Sequence, residues 1–429
     1  MEGEFIIMSR KSCSIVAHGA FTCSGSCAYC SAASSMNYRM GIKTADIVKE
    51  LDRVNKAAYS ETTFDFPALE KRLDEYLKPQ TGDSVHVDLW GADPVAAFDN
   101  LCEMVEFLED YCKQRKITLD PHTSTNGLAL VKDDWCDYLK EHDIHVQLSH
   151  DGLLQSMRTG ELDPMDIPNI RKLIRDGTID WINCTMNFWN WSIFDNIDYY
   201  NSKLKEIFPD VWNKDSYCTP KIANIYRKLY IKINHIYDST YNLQNKNKNG
   251  QYRKNVYEQL KNEPWGDLAF RNRPDLAEKY NIPELAHVLD EYINQWYRVY
   301  AMFSKMKDDD YSLIPYKNYL MGQLNRYQIL KPDQVKQAGS CFAYQRGYKN
   351  QNFVIDTIGE YCQCNLIDSA HKVLNPKAEQ AEYCKNCKYK YSKECLHCGS
   401  VKPADECEYY YRWNNLLESI YWLKRNGKK

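Results

Sequence analysis

The stretch FTCSGSCAYCSA, residues 21–32, spaces three cysteines as C-x3-C-x2-C: Cys23, Cys27 and Cys30. Small residues fill the gaps, so three thiols can converge from a single loop. Three thiolates at such spacings bind three irons of a cubane and leave the fourth iron without a protein ligand. That open corner is a place for a substrate or cofactor to coordinate. The competing reading is a zinc loop, which needs a fourth ligand nearby, and none stands at a zinc-like spacing.

Outward from this loop the first half of the chain alternates short β-rich runs with helical runs, the pattern of parallel strands joined by crossover helices. Strands are expected at 14–17, 85–89, 118–123, 144–148, 181–186 and 229–236, and helices at 44–54, 95–114 and 167–176. Six βα units predict an α/β protein with a partial (β/α)6, TIM-like barrel, its chemistry at the C-terminal strand ends. The barrel is expected over 1–237. A helical and loop insertion over 238–335 includes the polar run NLQNKNKNGQYRKN and a last crossover helix opened by Pro283. A cysteine-rich domain follows over 336–429.

The formal net charge is −3, which argues against a generally basic surface for nucleic acid. No stretch approaches eighteen uncharged apolar residues, and residues 1–12 lack a secretory pattern. The sequence therefore predicts a cytoplasmic protein without a membrane partner. In that reducing compartment clustered cysteines read as metal ligands rather than disulfides. Of the 17 cysteines, 11 fall into two clusters, while Cys13, Cys102, Cys112, Cys136, Cys184 and Cys218 stand alone and read as core thiols.

The C-x3-C-x2-C loop after the first strand, with Tyr29 just before the third cysteine, resembles the signature of the radical S-adenosylmethionine (SAM) superfamily. The resemblance implies that Cys23, Cys27 and Cys30 hold a [4Fe-4S] cluster whose open iron chelates SAM. It also extends along the chain. VDLWGADPV (87–95) stands where that family has Gly-Gly-Glu, which implies a SAM-binding role for Gly91 and Asp93; Asp93 is one methylene shorter than the usual acid. TSTNGLAL (123–130) is similar to a Thr-Asn-Gly segment and implicates Asn126, although Asn-Gly is also an ordinary turn. VQLSHDGLL (146–154) resembles the Ser-Leu-Asp-Gly stretch of the peptide-maturing branch, with Ser149 toward the SAM ribose and His150 in place of an apolar residue. Arg158 is the candidate partner of the SAM carboxylate, and Asn187 a further pocket residue.

Near the C-terminus come Cys341, Gly359 and Cys364 as G-x4-C with Cys362 inside, Cys384-x2-Cys387-x7-Cys395-x2-Cys398, and Cys407. Eight thiolates suit two fully ligated [4Fe-4S] clusters or a pair of structural zinc sites. The run looks like the SPASM domain of peptide- and protein-modifying radical SAM enzymes, with altered gaps around Cys395. That resemblance implies one auxiliary cluster on Cys341, Cys362, Cys364 and Cys398, and a second on Cys384, Cys387, Cys395 and Cys407.

The branch, which includes anaerobic sulfatase-maturating enzymes and maturases of ribosomal peptides, implies an anaerobic oxidoreductase working on a peptide or protein side chain, by oxidation or cross-linking. A flavodoxin- or ferredoxin-type donor would supply the electron. Asn365 occupies the place of the aspartate base of sulfatase-maturating relatives, and an amide is no base. About twelve residues precede the first strand, too few for a leader-binding module. Two other readings stay open here: dehydrogenation or rearrangement of a small molecule or nucleotide, and a non-catalytic zinc-binding interaction protein.

Overall fold

The computed structural model describes residues 10–19, 22–24, 38–39, 46–155, 162–185, 192–211, 225, 229–234, 285–303, 353–362 and 415–420. The strands are β1 (Arg10–Val16), β2 (Thr22–Cys23), β3 (Tyr38–Arg39), β4 (Ser84–Trp90), β5 (Thr118–Thr125), β6 (His145–Ser149), β7 (Ile179–Thr185), β8 (Tyr230–Asn234) and β9 (Phe353–Asp356). The helices are α1 (Ile47–Glu61), α2 (Phe66–Leu77), α3 (Phe98–Arg115), α4 (Asp133–Glu141), α5 (Pro168–Asp176), α6 (Ile193–Ile207) and α7 (Leu285–Phe303). Seven strands share one sheet in the order β8-β7-β6-β5-β4-β1-β9, and β2 pairs with β3 apart from it. The six expected strands are all present, in sequential order on an open α/β sheet. The seventh, β9, was not expected.

The chain divides into two compact units, 1–26 with 35–147 and 349–373, and 27–34 with 148–348 and 374–429. In the first, β1 lies between two parallel partners. Val16 is in register with Trp90 of β4 on one side and with Asp356 of β9 on the other. Strand β4 alternates, with Val85, Val87 and Leu89 buried and Ser84, His86, Asp88 and Trp90 half-buried on the opposite face. This two-residue period is what one sheet face against helices requires. Helix α2 supplies Leu69, Leu73 and Leu77 to the core, all at spacings of four. Each such leucine contributes about 1.5–3 kcal/mol, ample for a helix of 12 residues. Asp65 caps that helix by accepting from the Ala68 amide at 3.0 Å.

After β9 the chain turns sharply at Gly359, whose φ is +77°. A Cβ there would stand 2.7 Å from the backbone of Ala68, so this turn lies flat on the start of α2. The Cys362 amide then donates to the Val354 carbonyl at 3.1 Å, leaving Cys362 buried.

In the second unit α5, α6 and α7 present apolar stripes, among them Ile170, Leu173 and Ile174; Ile197, Tyr200 and Leu204; and Tyr292, Trp296 and Val299. Gln295 is buried on α7, and its Oε1 accepts from the first amide of α6, Ile193, at 2.6 Å. This satisfies a donor that a helix N-terminus otherwise leaves open. The lone cysteines Cys13, Cys112, Cys136 and Cys184 are buried as expected, Cys102 is half-buried, and Cys218 lies outside the described residues. Burial pushes the Cys102 and Cys112 thiols up to about 12, so they stay protonated and inert. Among the described residues no helix is long and apolar enough to cross a membrane.

Candidate functional site

Strand β4 ends at Trp90, and the chain turns through Gly91 and Asp93 into a 3-10 turn at Pro94–Ala97 that leads to α3. Next to it β5 ends at Thr125. Asn126 and Gly127 reverse the chain there, with Gly127 at φ +91°. The Leu128 amide donates to Asn126 Oδ1 at 2.9 Å. This local ring locks the orientation of the amide group, and its Nδ2 points back toward the loop after β2. The turn reading and the site reading of Asn126 are thus both satisfied by one geometry.

There Asn126 Nδ2 donates to Ser24 Oγ at 2.8 Å, and it also lies 3.7 Å from Cys23 Sγ in hydrogen-bonding geometry. Ser24 passes its own proton to Asp93 Oδ2 at 2.8 Å. Ser24 Oγ also lies 3.0 Å from Asn126 Oδ1, but a hydroxyl has a single proton and the carboxylate is the stronger acceptor. Cys23, Ser24, Asp93 and Asn126 are all buried, Asp93 at 1% exposure.

The second carboxylate oxygen, Asp93 Oδ1, has no hydrogen-bond partner among the described residues. Burial pushes the Asp93 carboxyl above its ordinary range, against the hydrogen bond from Ser24 and the nearby Thr125 hydroxyl and Ala96 and Asn126 amides. Leaving such an oxygen unpaired costs on the order of 1–3 kcal/mol. The arrangement is suited to receive a cation, above all an N–H donor. Among the described residues a Cβ added at position 91 would meet only Pro94, at 3.6 Å.

Several solved structures share this architecture. A tagged form of anSMEcpe with bound AdoMet superposes with a TM-score of 0.50 at 15% identity, over 96% of this chain and 98% of that one. Native anSMEcpe with bound AdoMet gives 0.50 at 14%, over 96% and 99%. A further native form, with AdoMet and the Cp18Cys peptide, gives 0.48 at 14%, over 98% and 100%. No family model and no curated protein matches the chain. The chain shares its fold with these proteins.

Of the residues read from the sequence, the fold brings Cys23, Asp93 and Asn126 together, with Gly91 two positions before Asp93. Ser24, which ties them to one another, was missed; its only signal in the sequence is a hydroxyl directly after the first loop cysteine. Ser149 closes β6, and its neighbours explain that stretch. Asp151 is buried, and its Oδ1 accepts from the Thr185 amide at the end of β7, at 3.2 Å. His150 is fully buried. Its Nδ1 accepts from the Gly152 amide at 3.0 Å, so Nε2 carries the proton, which it directs at Asp163 Oδ1 3.0 Å away. Asp163 is further held by the Tyr199 hydroxyl and by Lys203 at 3.4 Å. Burial alone would raise the Asp163 carboxyl, but these donors hold it well below the usual carboxylate range. The histidine that departs from the family pattern therefore has a paired acid that the sequence did not single out.

Cys362 is placed at the end of the β9 turn. Cys27, Tyr29, Cys30, Arg158, Asn187, Cys341, Cys364, Cys384, Cys387, Cys395, Cys398 and Cys407 lie outside the described residues.

Proposed function

We propose that this protein is a radical SAM enzyme that abstracts a hydrogen atom from a peptide or protein side chain and so oxidises or cross-links it. The observation that carries the reading is the buried Asp93 carboxylate, with one oxygen unpaired among the described residues, at the C-terminal mouth of β4 beside Cys23. Cys23, Cys27 and Cys30 would hold the cluster, which would supply the one-electron reduction of bound SAM on which hydrogen abstraction rests.

The residues present fit those groups. Asp93 Oδ1 accepts the SAM ammonium, which removes the cost of leaving that oxygen bare and holds the carboxyl ionised. Gly91 leaves space for the ligand to lie against backbone. Asn126 directs an N–H at Cys23 Sγ, as a donor to a metal-bound thiolate would. Ser24 keeps Asp93 and Asn126 in one geometry. Ser149 serves the ribose, Arg158 the carboxylate and Asn187 the pocket wall. Cys341, Cys362, Cys364 and Cys398, with Cys384, Cys387, Cys395 and Cys407, would hold two auxiliary [4Fe-4S] clusters, offering a sink for the electron left on the oxidised substrate, and a flavodoxin- or ferredoxin-type donor would provide the reducing electron. Peptide chemistry is favoured by the resemblance of the C-terminal cysteine pattern to the SPASM domain. Asn365 gives no base, so formylglycine formation is not part of the proposal.

The test is anaerobic reconstitution with iron, sulfide, SAM and a strong reductant. About twelve irons per chain are expected, with 5'-deoxyadenosine formed by the native protein and suppressed by Cys27→Ala. Protein that carries only zinc, or that leaves SAM intact under these conditions, would end the proposal.

A further inference from the structure

The half-buried face of the first unit's sheet carries a group of side chains that the reading above does not use. His86 and Asp88 on β4 stand in register with Asp120 and His122 on β5, and His145 on β6 joins them. Asp120 is the hub. Its Oδ2 lies 3.1 Å from His86 Nδ1 and its Oδ1 2.9 Å from His122 Nε2, with His145 Nε2 4.0 Å from Oδ1. The ligand atoms of His86, Asp120 and His122 all fall within 4.8 Å of one another. Three imidazoles gather around this point: the His86 and His122 rings are tilted with centroids 4.2 Å apart, and those of His122 and His145 are stacked at 4.7 Å.

We propose that His86 Nδ1, His122 Nε2 and the Asp120 carboxylate bind a divalent transition-metal ion, with His145 in reach as a fourth ligand. Three features support this. Tetrahedral bonds of about 2.0–2.1 Å put ligand atoms about 3.3 Å apart, close to the separations found at Asp120. Two imidazoles and a carboxylate are the donor set of zinc, iron(II) and related ions rather than of calcium or magnesium. Finally, the outer nitrogen of His86, Nε2, lies 3.2 Å from Asp88 Oδ1. A carboxylate behind a ligating histidine fixes the tautomer that turns the opposite lone pair toward the metal.

The side chains keep between 18% and 37% of their surface, so an ion has access. His86 precedes Trp90, the end of β4, by four residues, which puts the group about 13 Å along the strand from the Asp93 mouth at about 3.3 Å per residue. The two sites are therefore distinct, and the inference does not depend on the radical SAM reading.

Full-length protein, as isolated, is treated with a chelator, equilibrated with Zn2+, and assayed for zinc and iron by mass spectrometry. Native protein is expected to hold one zinc more than His86→Ala or His122→Gln at equal iron content. Asp88→Asn should weaken that zinc roughly 10- to 100-fold, the usual effect of removing a partner behind a ligand. X-ray absorption on native protein needs no variant. It should show nitrogen and oxygen neighbours near about 2.0 Å and no sulfur shell near about 2.3 Å. Equal zinc in native and variant proteins, or a sulfur-dominated shell, would overturn the site.

Discussion

Replacing Asp93 with asparagine preserves the shape of the side chain and removes its charge. In the native protein one carboxylate oxygen accepts from Ser24 at 2.8 Å and the other has no hydrogen-bond partner among the described residues. Ser24 can still donate to the amide oxygen, so the turn into α3 should survive and the melting temperature should stay within a few degrees of native. The ammonium of SAM, by contrast, would meet a neutral group. A hydrogen bond to a charged group is worth about 1.5–3 kcal/mol, which at about 1.4 kcal/mol per decade predicts a 10- to 150-fold rise in Kd. The assay is calorimetric titration of SAM into anaerobic, cluster-loaded protein, with iron content measured alongside and 5'-deoxyadenosine formation followed in parallel. A folded Asp93→Asn protein with full iron that binds SAM as tightly as native would refute the assignment of that oxygen.

Gly359→Ala combines a left-handed backbone with a contact of 2.7 Å against Ala68 backbone. It should lose more than about 2 kcal/mol in urea unfolding, because the intrinsic cost of that conformation is roughly 1–2 kcal/mol and the clash adds to it. Gly82→Ala, at φ +89° with nothing within 4 Å, should lose only the intrinsic part. His150→Leu removes the donor to Asp163, and a loss of about 1–3 kcal/mol is expected. The Asp163 carboxyl is depressed in the folded state, so its contribution is full above the ordinary carboxylate range and lost as pH falls toward the folded value. Stability measured from pH 7 down to about pH 3 should accordingly fall less steeply in Asp163→Asn than in native protein. Gln295→Ala strips the acceptor from the Ile193 amide and should cost about 1–3 kcal/mol by the same urea assay.

The sheet was legible because its strands carry their own signal. Runs such as Ser84–Trp90 alternate apolar and polar residues, and Ile179–Thr185 is rich in β-branched side chains. Strand β9 has only four residues, Phe353–Asp356, too few for a period to show. It exists because Val16 and its neighbours offer an open ladder, which is a property of the tertiary structure. Cys23, Asp93 and Asn126, which the fold brings together, were singled out by the resemblance of their motifs to a known family. Ser24 was not, since its role depends on two partners 69 and 102 residues away. The imidazole group on β4, β5 and β6 was invisible for a similar reason. His86, Asp120, His122 and His145 form no motif along the chain and meet only through strand register.

The pairing of β9 with β1 bears on how this protein can be made and cut. His18 reaches Asp356 at 2.8 Å across 338 residues of chain, and Thr357 accepts from the His18 amide at 3.0 Å. A ribosome must therefore pass residue 353 before β1 gains its second neighbour. Until then Cys13–Val16 presents a bare, apolar edge of the kind that recruits other chains. Products that stop short of residue 353 should be prone to aggregate, and expressing the N-terminal half by itself is a poor route to well-behaved material.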